Sequence, residues 1–543
     1  MAFFQMIGKS FETVGHGIAT GATALADEIT GGNVPEIRHA RQDQERRLQE
    51  AARRTEESAR VVGGDVNRVL GTVGVSALTL SRIVTSPEQL RRLVELIETH
   101  DFLGLIRALQ NRAEFPDDFF PNWIRRAGGY FPKFAQVLSV RADLIHNRRV
   151  LDQLSRCLED MPARDRGRVH EFLQGLGWDQ ASLAGLGEAL NAGTIAQVNE
   201  LRLPDGRPGV VKATFPDTRR QVQTDFRLFE HARNILRALN LEDEQARTVG
   251  VLFAAVGKNE PAVMNEFDLQ AEAIKLATAG ELAAGEWPHA YGAWLGAASA
   301  ILAAQPPALA MLATQWLRNN QWRVRVPEPV AGLCSQPAIA MTRAGGESIH
   351  RLLSGSSGDA GRQEAAGALL GLAVPFIGWM LLCKSTQHFG HVDPHPGNFR
   401  WCAAARELWV LDWGSSVTLS LERRKALCML IRLVADDAEP ALVGDVAGAF
   451  GLRGTNPLEL AKLVRGMLNA TTAHAAQDAI NTAAIDNILD GVSDDVVPVV
   501  RCLSVLGGML KELQQHIRSE HQHEVPLSLA ALWGPFATLG LAD

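Results

Sequence analysis

The chain reads as an α+β protein with two lobes, and three observations predict it. Helical patterning persists to about residue 190, beginning with a charge-laced segment at 39–60. The stretch "TIAQVNELRLPDGRPGVVKATF", residues 194–215, then alternates, turns at Pro204-Asp205-Gly206 and alternates again, as a β-hairpin does. After residue 360 the pattern returns to helix, interrupted by "NFRWCAAARELWVLDWG", residues 398–414, which has the form of a second hairpin. A few strands, one bearing a lysine, followed by a helical half with a polar loop is the arrangement of a two-lobed α+β enzyme.

A chain of 543 residues should form more than one domain. The expected division is a helical N-terminal extension at 1–95, a second helical extension at 96–188, a strand-rich lobe at 189–345 and a helical lobe at 346–543. An Ala-rich insertion near 278–320 interrupts the strand-rich lobe. Hydrophobic residues make up 46% and charged residues 21%, a globular composition, and the net charge of -7 excludes a general pull toward nucleic acid. Six cysteines, at 157, 334, 383, 402, 428 and 502, show no metal-ligand spacing and read as free thiols of a reducing compartment. The N-terminus has too short an apolar run for a secretory signal. Its first arginine is Arg38, against an Arg-rich transit peptide, so the sequence leaves the compartment unassigned. Gly8-Lys9-Ser10 imitates the end of a P-loop, but Phe3 stands where that loop needs glycine.

Taken in order, Phe4, Ile7, Phe11, Val14 and Ile18 share one helical face. That face is suited either to a membrane interface or to docking on the protein's own helices. Gly15, Gly17 and Gly21 and the scarcity of basic residues weigh for docking. Residues 39–60 place Glu and Arg three or four apart, as in a solvated helix face or a short coiled-coil segment. Ser86 and Pro87 open the next helix as N-cap and first helical residue. After the first hairpin a helix is expected at 218–238 and another over "NEFDLQAEAIKLA", with Asp268 and Glu272 on one face. "PAIAMTRAGG" reads as a strand. The Ala-rich stretch 290–314 is broken by Pro306-Pro307 into two short helices. "AAGALLGLAVPFIGWMLLC", Ala365 to Cys383, is uncharged and long enough to span a bilayer. Its Gly and Pro375 and the polar motif behind it favour a buried core helix instead.

That polar motif is "HVDPHPGNF", residues 391–399. His388, His391, Asp393 and His395 could ligate a metal, although alternating prolines should hold the segment extended and point neighbours apart. Phosphoryl transfer accounts for more of the sequence. Protein kinases place H-R-D-x-x-x-x-N ahead of a short hairpin that ends in D-F-G. Here His391-Val392-Asp393 leads to Asn398, and Asp412-Trp413-Gly414 follows a hairpin. A carboxylate must orient the attacking oxygen and accept its proton, the part given to Asp393. An amide oxygen and a second carboxylate, Asn398 and Asp412, would hold Mg²⁺ against the phosphates. Lys212 in "GVVKATF" is the strand lysine that such a site needs for phosphate, and Glu272 is the helix acid expected to hold it, with Glu266 the competing partner. No G-x-G-x-x-G loop precedes Lys212.

In its place the chain resembles the UbiB-type atypical kinases, a family tied to coenzyme Q biosynthesis and lipid homeostasis. Ala192-Gly193-Thr194-Ile195-Ala196-Gln197-Val198 is similar to that family's alanine-rich nucleotide loop and following strand. "KFAQVLSVRADL" is similar to its K-x-G-Q helix with Lys133 and Gln136, Glu266-Phe267-Asp268 to its E-x-D motif, and "HVDPHPGN" to its "HADPHPGN". The likeness covers roughly residues 100 to 430. It departs at Ala135, Gly193, Thr194, Asn199 and Trp413, the last standing for the phenylalanine of D-F-G.

The resemblance implies a protein-kinase-like fold that binds ATP or ADP with Mg²⁺. Ala192 to Ala196 would line the nucleotide, and Lys133, Gln136, Glu266 and Asp268 the cleft. It further implies ATP hydrolysis or action on a small lipid- or quinone-like substrate rather than a protein, with peripheral membrane contact. The resemblance leaves a mitochondrial or plastid location open without assigning one. The alternative is a nucleotide-binding pseudokinase that scaffolds a lipid-modifying complex.

Overall fold

The computed structural model describes residues 118–133, 163–238, 260–261, 263–303, 322–354, 358–383, 389–452, 456–469, 495–521 and 528–542. It also describes isolated positions, among them Gln89, Arg92, Ala135 and Gln153. The N-terminal apolar stripe, the 39–60 helix, the Ser86 cap, Gln136, His388 and residues 304–321 lie outside the described residues.

In chain order the elements that matter begin with helix α1 (Phe119–Ala127) and strands β1 (Leu186–Ala192), β2 (Ala196–Arg202) and β3 (Pro208–Thr214). Helices α2 (Pro216–Ala238), α3 (Leu269–Gly285) and α4 (Trp287–Ala303) follow. Then come β4 (Arg323–Arg325), β5 (Pro329–Ser335), β6 (Ala338–Thr342), β7 (Glu347–Ser348) and helix α5 (Val374–Leu382). The last strands are β8 (Phe389–His391), β9 (Phe399–Cys402), β10 (Glu407–Val410) and β11 (Ser416–Thr418). Helices α6 (Leu421–Ala435), α7 (Val497–His521) and α8 (Leu529–Ala542) close the chain. Mixed helix and sheet of this kind is an α+β fold.

The chain divides into two compact units. The first comprises Met1–Asp165, Ala189–Val198 and Thr214–Phe267. Its described core is organised by a buried ion pair. Arg92 Nε lies 2.9 Å from Asp225 Oδ1, and Tyr130 N–H donates to the other carboxylate oxygen at 2.9 Å. Gly129 passes so close that a Cβ there would stand 2.1 Å from that oxygen, and its φ of +59° lies in the left-handed region that glycine enters without steric cost.

The second unit comprises Arg166–Glu188, Asn199–Ala213 and Asp268–Asp543. A five-stranded sheet has strand order β1-β2-β3-β6-β5, and within the second unit Lys212 on β3 pairs with Ile339 on β6. A four-stranded sheet, β4-β10-β9-β7, and a two-stranded one, β11-β8, carry the segment around the polar motif. The 194–215 and 398–414 hairpins form at β2–β3 and β9–β10, and "PAIAMTRAGG" contains β6.

The helix that passes for a membrane span runs from Gly358 to Leu382, and 89% of its most apolar window is buried. It is the core helix of this unit. Pro375 cannot donate to the carbonyl one turn back, and the chain widens into a π turn at Leu369–Ala373 just ahead of it. Helix α8 packs here because Gly378 has no side chain: a Cβ would stand 2.4 Å from Trp533 Nε1, which donates to the Val374 carbonyl at 2.8 Å.

Several expectations need correction. Helix does not continue to residue 190. Leu186–Ala192 is strand β1, where pairing with β2 overrides the helical propensity of Leu, Glu and Ala. Strands β4, β5, β7, β8 and β11 were not expected either, being short and weakly alternating. The 391–399 segment is not extended throughout: Pro396–Asn398 forms a 3₁₀ turn, with the His395 ring accepting from Gly397 N–H at 3.1 Å. Asp268 does not share a helical face with Glu272. It is the N-cap of α3, accepting from Ala271 N–H at 3.0 Å.

Candidate functional site

The site begins with the cap on α3. With Asp268 satisfying an orphan N–H, Glu272 falls in the first helical turn, buried at 4% exposure beneath β3. Lys212 Nζ bonds both oxygens of Glu272 at 2.9 Å, and Asp412 Oδ1 takes the same ammonium at 3.1 Å. Burial works against the charge on Lys212. The Asp412 and Glu272 carboxylates outweigh it and hold the pKa above the ordinary lysine value. Burial pushes the Glu272 carboxyl up while Lys212 pulls it down. Two carboxylates facing one ammonium keep the proton on the lysine.

Asp412 holds its position through a strained backbone, with φ of +55°, the left-handed region that costs a non-glycine residue about 1–2 kcal/mol. Two contacts impose it. Leu411 N–H donates to the Asn398 carbonyl at 2.8 Å, and the fully buried His391 reaches the Leu411 and Asp412 carbonyls with Nε2, 3.1 Å from each. Both partners are acceptors, so Nε2 carries a proton. Burial lowers the His391 pKa below the usual histidine value. Trp413, fully buried, stacks on Phe389 at 5.6 Å, meets the His391 ring edge-on at 5.1 Å and donates to the Val410 carbonyl at 3.1 Å.

On the turn before β9, Asn398 Nδ2 donates to the Asp393 carbonyl at 3.0 Å and to Asp393 Oδ2 at 3.2 Å. This fixes the carboxylate and turns the Asn398 amide oxygen away from the pair. Arg501 on α7 lies 3.8 Å from the other Asp393 oxygen. The structure therefore gathers Lys212, Glu272 and Asp412 into one cluster and Asp393 with Asn398 into another, joined through the Asn398–Leu411 backbone bond.

In the first unit, Lys133 Nζ lies 3.0 Å from Glu266 Oε1. Ala135 is buried. Ala192 ends β1, Gly193 N–H bonds the Ala196 carbonyl at 2.9 Å to close the turn through Thr194 and Ile195, and Ala196 starts β2.

Two groups escaped sequence reasoning. Lys275 donates to the Gly414 carbonyl at 2.9 Å, and burial lowers its pKa. Its signal was available, since it lies three residues beyond Glu272 on the same helix. Arg501 comes from far along the chain and left none.

Of the four candidate metal ligands, His388 lies outside the described residues. Among the described residues, no group of three or more His, Cys, Asp or Glu converges, and the His391 Nε2 is committed to backbone carbonyls. The carboxylate of Asp412 and the amide oxygen of Asn398 are hard oxygen donors, which fit Mg²⁺ rather than a softer ion.

A family model for the ABC1 atypical kinase-like domain matches residues 310–443. That stretch carries Asp393, Asn398 and Asp412, and the domain it is similar to belongs to a family that generally binds ATP with Mg²⁺. Lys212 and Glu272 lie outside the match and join the site by geometry. No curated protein matches the chain. Among solved structures, the complex of Rv3197 with erythromycin from Mycobacterium tuberculosis is 17% identical. It covers 75% of this chain and 92% of its own, with a TM-score of 0.42.

Proposed function

We propose that the chain is an atypical kinase or ATPase with a two-lobed, kinase-like arrangement, binding Mg-nucleotide and transferring or hydrolysing its terminal phosphate. The single observation that carries this is the ammonium of Lys212 held between Glu272 and Asp412, on a segment whose neighbour matches an atypical kinase-like domain. A buried cation clamped by one fully buried carboxylate and one exposed at 45% is poised to meet an anion from the solvent side.

Asn398 and Asp412 would hold Mg²⁺, which when bound would neutralise charge on the phosphates. Lys212 binds phosphate oxygens, and Glu272 fixes its direction. Asp393, set by the Asn398 amide, orients the attacking oxygen and accepts its proton. His391 orients the Asp412 backbone rather than exchanging protons, since burial keeps it neutral.

The acceptor is read as water or a small lipid- or quinone-like molecule, on the ground of the UbiB-type sequence resemblance. Phosphate release from ATP by the full chain, with and without liposomes or a quinone-like phenol, tests the proposal. Stimulation by the phenol or liposomes supports it. Nucleotide binding without turnover under every condition replaces it with the pseudokinase scaffold.

A further inference from the structure

One oxygen of Asp393 is held and the other is open. Oδ2 accepts from Asn398 Nδ2 at 3.2 Å. Among the described residues Oδ1 receives no hydrogen bond, and its ion-pair partner is the Arg501 guanidinium, 3.8 Å away and so outside hydrogen-bond distance. An attacking hydroxyl therefore delivers its proton to Oδ1, and to do so it comes within about 2.6–3.2 Å of that oxygen. It then lies beside Arg501. The helix, not the ion pair, puts the arginine there. Val499, Cys502, Leu503 and Leu506 form a buried face of α7, and the helix lies against β11, which pairs with β8 at His391.

The Arg501 side chain is 63% exposed, and among the described residues its guanidinium makes no hydrogen bond. A pair this long and this exposed contributes little to stability, so it does not commit the guanidinium to Asp393. The planar fork can pair a carboxylate or phosphate through two parallel bonds of about 2.7–2.9 Å. In the transfer step the acceptor hydroxyl gives its proton to Asp393 Oδ1, and its oxygen bonds the terminal phosphorus. The bond from that phosphorus to the bridging oxygen breaks, with its electron pair on the departing nucleotide. Asp393 is then neutral, and the guanidinium beside it has lost its counter-charge. An oxyanion carried by the acceptor would supply one.

We infer that Arg501 selects an acceptor that carries an oxyanion, a carboxylate or a phosphate, within about 10 Å of its reacting hydroxyl. The inference rests on the phosphoryl-transfer reading above and narrows its acceptor class, since water and a neutral phenol both leave the guanidinium unmatched. A free small molecule and a lipid headgroup both present this chemistry.

Turnover of Mg-ATP by the full chain, followed as ADP formed, tests it with two sets of acceptors. The soluble set is glycerol 3-phosphate and glycerate against glycerol. The lipid set is phosphatidylglycerol vesicles against phosphatidylcholine vesicles that contain diacylglycerol. In the set that matches the source, kcat/KM for an anionic member should exceed that for the neutral hydroxyl about tenfold, the worth of one charge-assisted hydrogen bond. Arg501→Gln should erase the difference through KM for the anionic acceptor, and Arg501→Lys should restore part of it. Arg432→Gln, which removes an exposed arginine paired with Asp436, controls for net charge and should keep the preference. Turnover indifferent to the anion in both sets, a preference that survives Arg501→Gln, or an equal loss in Arg432→Gln overturns this inference alone. Absence of ADP formation under every condition overturns it together with the phosphoryl-transfer reading.

Discussion

Lys275 and Gly414 are joined by a hydrogen bond of 2.9 Å, from the ammonium on α3 to the carbonyl that follows Trp413. Three residues earlier, on the same helix face, Glu272 holds Lys212. One helix thus fixes both the Lys212 ammonium and the loop that presents Asp412. Lys275→Met should leave the fold intact and weaken Mg-nucleotide binding about tenfold, because the loop loses a charged hydrogen bond. Lys275→Arg should recover part of the loss. Titration of both variants decides it, and unchanged affinity in Lys275→Met removes the residue from the positioning role.

Lys212→Met leaves the Glu272 carboxylate buried without its cation. Breaking such a pair costs about 3–5 kcal/mol, whereas replacing both partners can be close to neutral. Lys212→Met should therefore lower the unfolding midpoint markedly and abolish nucleotide-induced stabilisation. Adding Glu272→Gln should restore much of the stability without restoring the nucleotide response. If the double variant is no more stable than the single one, Glu272 is not the charge that Lys212 compensates.

Asp393 and Asp412 have different neighbours and should fail differently. Asp412→Asn removes a negative partner of Lys212 and a donor for Mg²⁺, so the Mg-dependence of nucleotide binding should weaken. Asp393→Asn keeps the shape and an amide oxygen that can still accept from Asn398, so binding should persist while phosphate release falls by about 10²–10⁴-fold, the worth of a general base. Normal turnover in Asp393→Asn would falsify its assigned role.

Much of this arrangement was legible in the sequence for a physical reason: the motifs are local. Asp393 and Asn398 are five residues apart on one turn, and the 398–414 hairpin has its strands next to each other in the chain, so spacing alone carried the geometry. Strand β4 was not legible, because three residues pairing in parallel with β10 across eighty positions leave no local pattern. Asp268 was misjudged by one residue, since the helix begins at Leu269. A residue of its type four before Glu272 fits a helix face and an N-cap equally well until the first helical residue is known. The Arg501–Asp393 contact joins distant segments and had no signal at all.

His391 gives the site a pH dependence whose sign follows from burial. Its folded pKa lies below the ordinary histidine value of about 6.5, so the unfolded chain takes up a proton before the folded one does. Its contribution to stability is complete above about pH 6.5 and is lost as the pH falls from there toward the folded pKa. Across that window one proton is worth at most about 1.4 kcal/mol per pH unit. Denaturant unfolding at a series of pH values should show this slope, and His391→Gln should flatten it at some cost in stability near neutrality. A slope that is unchanged in the variant assigns the acid sensitivity to other groups.

Trp413 stands where the D-F-G pattern has phenylalanine, and the structure explains what the larger ring does. Its indole is fully buried against Phe389, His391 and Phe376, with Nε1 donating to the Val410 carbonyl at the end of β10. Restoring the pattern with Trp413→Phe removes that bond and empties part of a pocket shaped to the indole. Losses of this kind cost about 1–3 kcal/mol together. The cost falls on the segment that sets the Asp412 backbone, since Trp413 follows it and packs on the histidine that bonds its carbonyl. Trp413→Phe should therefore lower stability and weaken Mg-nucleotide binding, rather than raise turnover as a return to the commoner residue would suggest. A variant with faster phosphate release and undiminished nucleotide affinity would show that the indole restrains the site instead of supporting it.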